Sequence, residues 1–237
     1  MKRPSALVHT VRKALQDAAD PLKAPAMQAY MKSEMPYRGV PTVPLRKAMR
    51  AVFAAHPLET SDEWRNTILE LWRTARYREE RYAAIALAGS SRYRQFRTLE
   101  ALPLYEEMIT SGAWWDYVDT IATHQIAELL RLQPAKMAAI LRQWAESRDI
   151  WKRRSAILAQ LSFKSDTDCK LLYDCIRPSL ATNEFFLRKG IGWALREYAK
   201  TDAAEVLRYV RQHEAQLSSL TKREALKHIS DHTSKSR

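Results

Sequence analysis

Asp119-Thr120-Ile121-Ala122-Thr123, Arg154-Ser155-Ala156-Ile157-Leu158 and Lys189-Gly190-Ile191-Gly192-Trp193 follow one another at intervals of 35 residues, each a charged residue leading a short run that is small or apolar. The pattern continues outward less regularly, to Arg81-Tyr82-Ala83-Ala84-Ile85, 38 residues before Asp119, and to Arg223-Glu224-Ala225-Leu226-Lys227, 34 residues after Lys189. Two helices and their two turns fill a period of this length, which is the unit of a helical solenoid. Each repeat of such a stack buries its apolar faces against its neighbours, and equivalent positions of the second helices line one concave surface. The five charged residues are therefore expected in a row. The plainer reading is that charges fall on exposed helix faces anyway; the small residues recurring behind each charge speak against it.

Apolar residues between these anchors recur at helical spacing: Trp64, Ile68, Leu71 and Trp72; Ile126, Leu129 and Leu130; Met137, Ile140, Leu141 and Trp144. Five glycines in 237 residues and no alternating runs of strand formers point to an all-α chain. Turn chemistry at Asp20-Pro21, Ala24-Pro25, Pro41 to Pro44, His56-Pro57, Gly89-Ser90-Ser91, Ser111-Gly112, Gln133-Pro134 and Arg177-Pro178 divides it into about twelve helices of roughly ten to eighteen residues. No linker rich in Gly, Ser or Pro interrupts it, so residues 1–237 are expected to form one helical domain. An apolar content of 46% is enough for a core and excludes disorder.

A formal charge of +12 calls for a polyanionic partner, nucleic acid before an acidic membrane face. The longest stretch without a charged residue is the ten residues from Tyr82 to Ser91, whereas a bilayer span needs about 20 apolar residues. Met1-Lys2-Arg3 meets Arg12 and Lys13 before any run that could serve as a signal peptide, so a cytoplasmic, nucleoid-associated protein is expected. Cys169 and Cys175, six apart, read as reduced thiols packed in a helix.

The charge is unevenly placed. Arg38 to Arg97 holds twelve basic and six acidic residues, and Arg148 to Lys200 eleven and six, while Ala113 to Glu146 between them holds three and four. Asp119 is thus one carboxylate among cations: a centre for chemistry between phosphate-binding arms, or a salt bridge to a neighbouring repeat. Trp115 stands four before Asp119 and Trp193 four after Lys189, so each shares a helix face with its charge, and Trp151, three before Arg154, can do the same. Trp64, Trp72, Trp144 and Trp114 read as packing. An indole beside a carboxylate suits a flat cationic ligand, the ring alone contributing roughly 0.5–2 kcal/mol.

Other chemistries lack their residues. There is no phosphate-cradling G-x-x-x-x-G-K-[ST], and Gly190-Ile191-Gly192 sits inside a helical stretch with no strand before it. Among the six histidines only His228 and His232 have metal-binding spacing, near the C-terminus, and no nucleophile elbow occurs. Neither metal nor cofactor is expected, which leaves carboxylate, aromatic and cationic groups.

Trp114-Trp115-Asp116-Tyr117-Val118-Asp119, Ile150-Trp151-Lys152-Arg153-Arg154-Ser155-Ala156-Ile157-Leu158 and Ile191-Gly192-Trp193-Ala194-Leu195-Arg196-Glu197-Tyr198-Ala199-Lys200 closely resemble the HEAT-like-repeat alkylpurine DNA glycosylases. Tyr30-Met31-Lys32, Gly39-Val40-Pro41-Thr42 and Ser218-Ser219-Leu220-Thr221-Lys222-Arg223-Glu224-Ala225 resemble that family as well, so the likeness covers nearly the whole chain. It implies a right-handed HEAT-like solenoid that grips duplex DNA on a concave basic face, acts as a monomer, and hydrolyses the N-glycosidic bond of positively charged purines such as 3-methyladenine and 7-methylguanine. It implies Asp119 as the catalytic carboxylate, Trp115 and Trp193 as flanking indoles, and Arg154 as a supporting cation. Tyr30 and Arg196 would lie around the lesion, with Lys32, Thr42, Arg46, Arg153, Lys189, Lys222 and Arg223 also on the DNA. Pro41-Thr42-Val43-Pro44 departs from the family by an extra proline.

The residues suit that chemistry. Alkylation of a ring nitrogen makes the base a cationic leaving group, so no general acid is needed, and the stretching bond moves positive charge onto the sugar. A fixed carboxylate stabilises that cation and orients water, and two indoles favour the same charge. The resemblance implies that the base stays largely in the duplex, so selectivity follows leaving-group charge. The alternatives are a noncatalytic helical-repeat protein that binds bent or branched DNA, and a protein-interaction scaffold.

Overall fold

The computed structural model describes residues 5–229, and its contacts gather into two compact units, Met1–Leu104 and Tyr105–Arg237. The first unit contains α1 (Ala6–Asp17), α2 (Ala24–Met31), α3 (Thr42–Ala55), α4 (Ser61–Arg73) and α5 (Arg78–Ala88). α4 starts where Thr60 and Glu63 form a reciprocal capping box. Its Trp64, Ile68, Leu71 and Trp72 are buried along one face, each contributing about 1.5–3 kcal/mol by leaving water. That face packs on α5, which also receives α1 and α3. α2 commits only Met31 to the core and leaves Tyr30 77% exposed. Gly39 holds a φ of +83° at a point where a β-carbon would run into the carbonyl oxygen of Asp20.

The second unit runs through α6 (Leu102–Gly112), α7 (Trp115–Ile121), α8 (Ala127–Leu132), α9 (Pro134–Ala145), α10 (Ile150–Leu158), α11 (Cys169–Ile176), α12 (Phe185–Ala199), α13 (Ala203–Gln212) and α14 (Ser219–Leu226). Four starts are set by side chains that accept backbone N–H groups: Asp149 for α10, Asp168 for α11, Asp202 for α13 and Ser218 for α14. The helices stack in two rows. α7, α10, α12 and α14 pack in succession, and α8, α9 and α11 follow one another beside them. Ile157, Leu158, Leu172, Leu187, Ile191, Leu195, Val206 and Tyr209 form the continuous core between these elements. This is the all-α helical-repeat solenoid class, with no strand among the described residues.

Fourteen α-helices, rather than about twelve, occur among the described residues, and they span six to fifteen residues. One division arises in the run from Trp115 to Leu132, where Ala122–Ile126 adopts π-helical pairing and splits α7 from α8. The breaks expected at Ala24-Pro25, Pro41 to Pro44 and Gln133-Pro134 are helix starts: Pro25, Pro44 and Pro134 lie in first turns, where a missing N–H costs nothing. Trp64, Trp72 and Trp144 are core, while Trp114 joins Trp151 and Phe186 in an aromatic cluster with centroids 5.0–6.4 Å apart. Cys169 and Cys175 are free thiols on α11, and burial pushes Cys175 up to about 12.

Candidate functional site

α7 carries Trp115 and Asp119 one turn apart, so both side chains leave the same face of the helix. α10 packs against α7 and the π-helical segment behind it, which brings Arg154 to Asp119. Arg154 Nε donates to Asp119 Oδ1 at 2.6 Å and Nη2 donates to Oδ2 at 2.8 Å. This two-pronged geometry is the strong form of an arginine–carboxylate pair and fixes the carboxylate's plane. The third prong, Nη1, donates to the backbone carbonyl of Phe186 in the first turn of α12. Asp119 keeps 13% of its side chain exposed and Arg154 5%.

Burial pushes the Asp119 carboxyl above the ordinary carboxylate range, against the opposing hydrogen bonds and charge of Arg154. Asp116, on the same helix, adds a smaller upward push. Both oxygens accept hydrogen bonds from a permanent cation, which is the pattern of an ionised carboxylate. Thr123 ties its hydroxyl to the Asp119 carbonyl at 2.7 Å, and Ala122–Ile126 widens the helix directly after Asp119. A π-helical turn inside a helix is a frequent companion of a functional residue. Trp115 and Trp193 are each half-buried, and Trp193 rests partly on the core of the unit.

Three members of the expected row, Asp119, Arg154 and Lys189, are paired between repeats, and the partner in α14 is Glu224 rather than Arg223. Lys189 Nζ donates to Glu224 Oε1 at 2.8 Å, 35 residues away, just as Arg154 reaches Asp119 across 35 residues. Arg196 Nη1 donates to the other Glu224 oxygen at 2.8 Å, and the Lys189 hydrogen bond leads in holding the Glu224 carboxyl below its usual range. Arg153 is turned to the Ser179 hydroxyl and the Pro178 carbonyl. Lys222 donates to the Glu214 carbonyl at 3.3 Å, and Arg223 is exposed on α14. In the first unit Tyr30, Lys32, Thr42 and Arg46 are all exposed, Lys32 in a left-handed conformation at the end of α2. Arg81 lies over the Trp72 ring, 4.8 Å from its centroid. His232, the second member of the histidine pair, lies outside the described residues.

Sequence reasoning missed Glu224 and the Phe186 carbonyl. Glu224 was within reach, because a strict 35-residue period from Asp119 passes through Arg154 and Lys189 and lands on it, one residue beyond Arg223. The carbonyl had no signal, since any residue supplies one.

The chain resembles known proteins over nearly its full length. A family model described as DNA alkylation repair enzyme matches residues 11–229. The solved structure of a "Predicted DNA alkylation repair enzyme from Enterococcus faecalis" superposes with a TM-score of 0.80 at 29% sequence identity, covering 89% of this chain and 96% of that one. No curated protein matches.

Proposed function

The chain belongs to the DNA alkylation repair enzyme family, and from that premise we propose that it hydrolyses the N-glycosidic bond of positively charged alkylated purines in duplex DNA, without rotating the base out of the stack. The observation that carries this reading is a single carboxylate, Asp119, held in place by two arginine hydrogen bonds and still 13% exposed, one helical turn from an indole. In the mechanism, a purine methylated at a ring nitrogen departs with its bonding electron pair and leaves as a neutral base. Positive charge appears on the deoxyribose as that bond stretches, and Asp119 stabilises it there. A unit charge 4 Å away at an effective dielectric of 20 interacts by about 4 kcal/mol, and Arg154 offsets part of that. Water then adds to the sugar, its proton passing toward the carboxylate.

Trp115 and Trp193 favour the same cationic state through their ring faces. Arg154 keeps the carboxylate from turning away, so no reorientation accompanies the charge shift. The whole chain, 1–237, acts in this reading as one DNA-binding and glycosylase domain. Tyr30 and Arg196 are assigned to the surroundings of the lesion, and Lys32, Thr42, Arg46, Arg153, Lys189, Lys222 and Arg223 to the DNA, all of them exposed or half-buried.

The experiment is to incubate the protein with methylated duplex DNA and separate free bases by chromatography, beside Asp119→Asn and beside a duplex containing uracil. Release of 3-methyladenine and 7-methylguanine, its loss in the variant, and no uracil release are expected. A second reading has its own support: the Asp119–Arg154 pair joins two adjacent repeats and so has a structural use in a noncatalytic protein that binds bent or branched DNA. Under that reading DNA binding persists and the parent protein releases no base.

A further inference from the structure

We propose that Gly190 is a positioning residue for Asp119, acting through Arg154 by leaving a notch in α12 into which the guanidinium fits. The proposal rests on the reading of Asp119 as the reacting carboxylate. α12 passes between α10 and α14, and its sequence Lys189-Gly190-Ile191-Gly192-Trp193 places a glycine on each of two opposed faces. A β-carbon at Gly190 would lie 3.0 Å from Arg154 Nη1, 3.7 Å from its Cγ and 3.8 Å from its Cζ. A β-carbon at Gly192 would lie 2.5 Å from the Glu224 β-carbon. Glycine is a poor residue for a helix interior, so close approach rather than helix propensity accounts for both.

The two notches do different things. At Gly192 the near atom is close to a neighbouring backbone, so the glycine sets how closely α14 packs. At Gly190 the near atom is the tip of a side chain already bound on three sides, by Asp119 Oδ1, Asp119 Oδ2 and the Phe186 carbonyl. Phe186 is one turn before Gly190, so the bare backbone lets Arg154 reach that carbonyl. A methyl group there displaces Nη1 by a few tenths of an ångström, and the rigid planar guanidinium carries the movement to its Asp119 edge. Gly190 thereby sets the plane of a carboxylate on a helix two places away in the row, without touching DNA.

The test is Gly190→Ala in the full chain, with Gly192→Ala as the contrast. For Gly190→Ala the expected results are an unchanged or raised melting temperature, unchanged affinity for a methylated duplex, and a single-turnover rate of 7-methylguanine release lowered about tenfold. Carboxyl carbon NMR of Asp119 supplies a readout that needs no activity: its titration midpoint moves upward, because the displaced hydrogen bonds are those that oppose burial. The ionisable groups that act on Asp119 are Arg154 from α10 and Asp116 from α7. In an Arg154→Lys background, which removes the fork, adding Gly190→Ala moves neither the rate nor the titration further. Gly192→Ala lowers the melting temperature instead.

An unmoved Asp119 titration in Gly190→Ala overturns the proposal, as does a full effect persisting in the Arg154→Lys background. Failure of Gly190→Ala to fold also overturns it, since the notch is held to accommodate a side-chain tip that can give way. Absence of base release by the parent protein defeats the proposed function alone, and the NMR titration still decides the positioning role.

Discussion

Glu79 in the first unit and Asp119 in the second are both carboxylates withdrawn from water, and they are satisfied in opposite ways. Glu79 is fully buried and accepts the backbone N–H groups of Arg38, Gly39 and Val40 at 2.9–3.1 Å, so its charge pins the loop that leads into α3. Asp119 is satisfied by one side chain, Arg154, through a fork that approaches each oxygen once. Each oxygen of Asp119 keeps a lone-pair direction that the fork does not use, and part of the side chain reaches solvent. Burial alone does not mark a carboxylate for chemistry. What distinguishes the two is access: the spare acceptor capacity of Asp119 reaches solvent, whereas Glu79 is sealed from it.

That contrast breaks most sharply at Asp119→Asn. The amide keeps the shape and loses the charge, so base release per folded molecule should fall about 10²- to 10³-fold, a loss of roughly 3–4 kcal/mol in the transition state, measured by single-turnover chromatography. Equal rates for variant and parent would place Asp119 with Glu79, as a structural group.

Glu79→Gln is the reciprocal change. Its amide N–H groups would face backbone donors in a buried site, which should cost about 2–3 kcal/mol, seen as a fall of very roughly 5–12 °C in melting temperature. Base release by the molecules that remain folded should be unaltered.

Acidity sharpens the comparison within the second unit. Burial raises the Asp119 carboxyl above its ordinary range, and in the proposed mechanism the ionised form is the active one. Base release should therefore fall as pH drops through that raised value, beginning at higher pH than an ordinary carboxylate would give. Glu224 runs the other way. Its carboxyl is held low, first by the Lys189 hydrogen bond, so its stabilising contribution is present above the unfolded-chain value and lost only as pH falls through the lowered folded value. A pH–rate profile recorded beside pH-dependent melting should separate the two, activity failing first.

The smallest effect concerns the surface. Arg223→Ala, removing an exposed cation, should reduce the slope of log affinity against log salt by about 0.9 if it meets a phosphate. Arg196→Ala should change it less, because Arg196 already shares the Glu224 carboxylate with Lys189. Binding titrations over a salt series distinguish them.

Much of this fold was legible in one dimension. Helical periodicity found the α4 core face at Trp64, Ile68, Leu71 and Trp72, and the break at Gln133-Pro134 falls where α9 begins. The two alternatives for Asp119, reacting group or salt bridge to the next repeat, are compatible in the molecule: the salt bridge is present, and it is what orients the carboxylate. The π-helical turn at Ala122–Ile126 was not legible, since Ala-Thr-His-Gln-Ile has nothing in its composition to distinguish five-residue from four-residue pairing. Nor was the tying of Lys189 and Arg196 to one glutamate, because a lysine reads as a free cation until its partner is placed.

The chain of residues by itself determined the class of structure and the period, because these depend on local spacing: a helix repeats every 3.6 residues and a pair of helices with its turns every 35 or so. Packing of α10 against α7 and α12 decided where Arg154 takes its third partner and why Gly190 has no side chain, and packing of α12 against α14 decided that Lys189 and Arg196 are spent on Glu224. Those outcomes turn on distances of a few tenths of an ångström between segments 35 residues apart, and charge, size and periodicity along a chain carry no information at that scale.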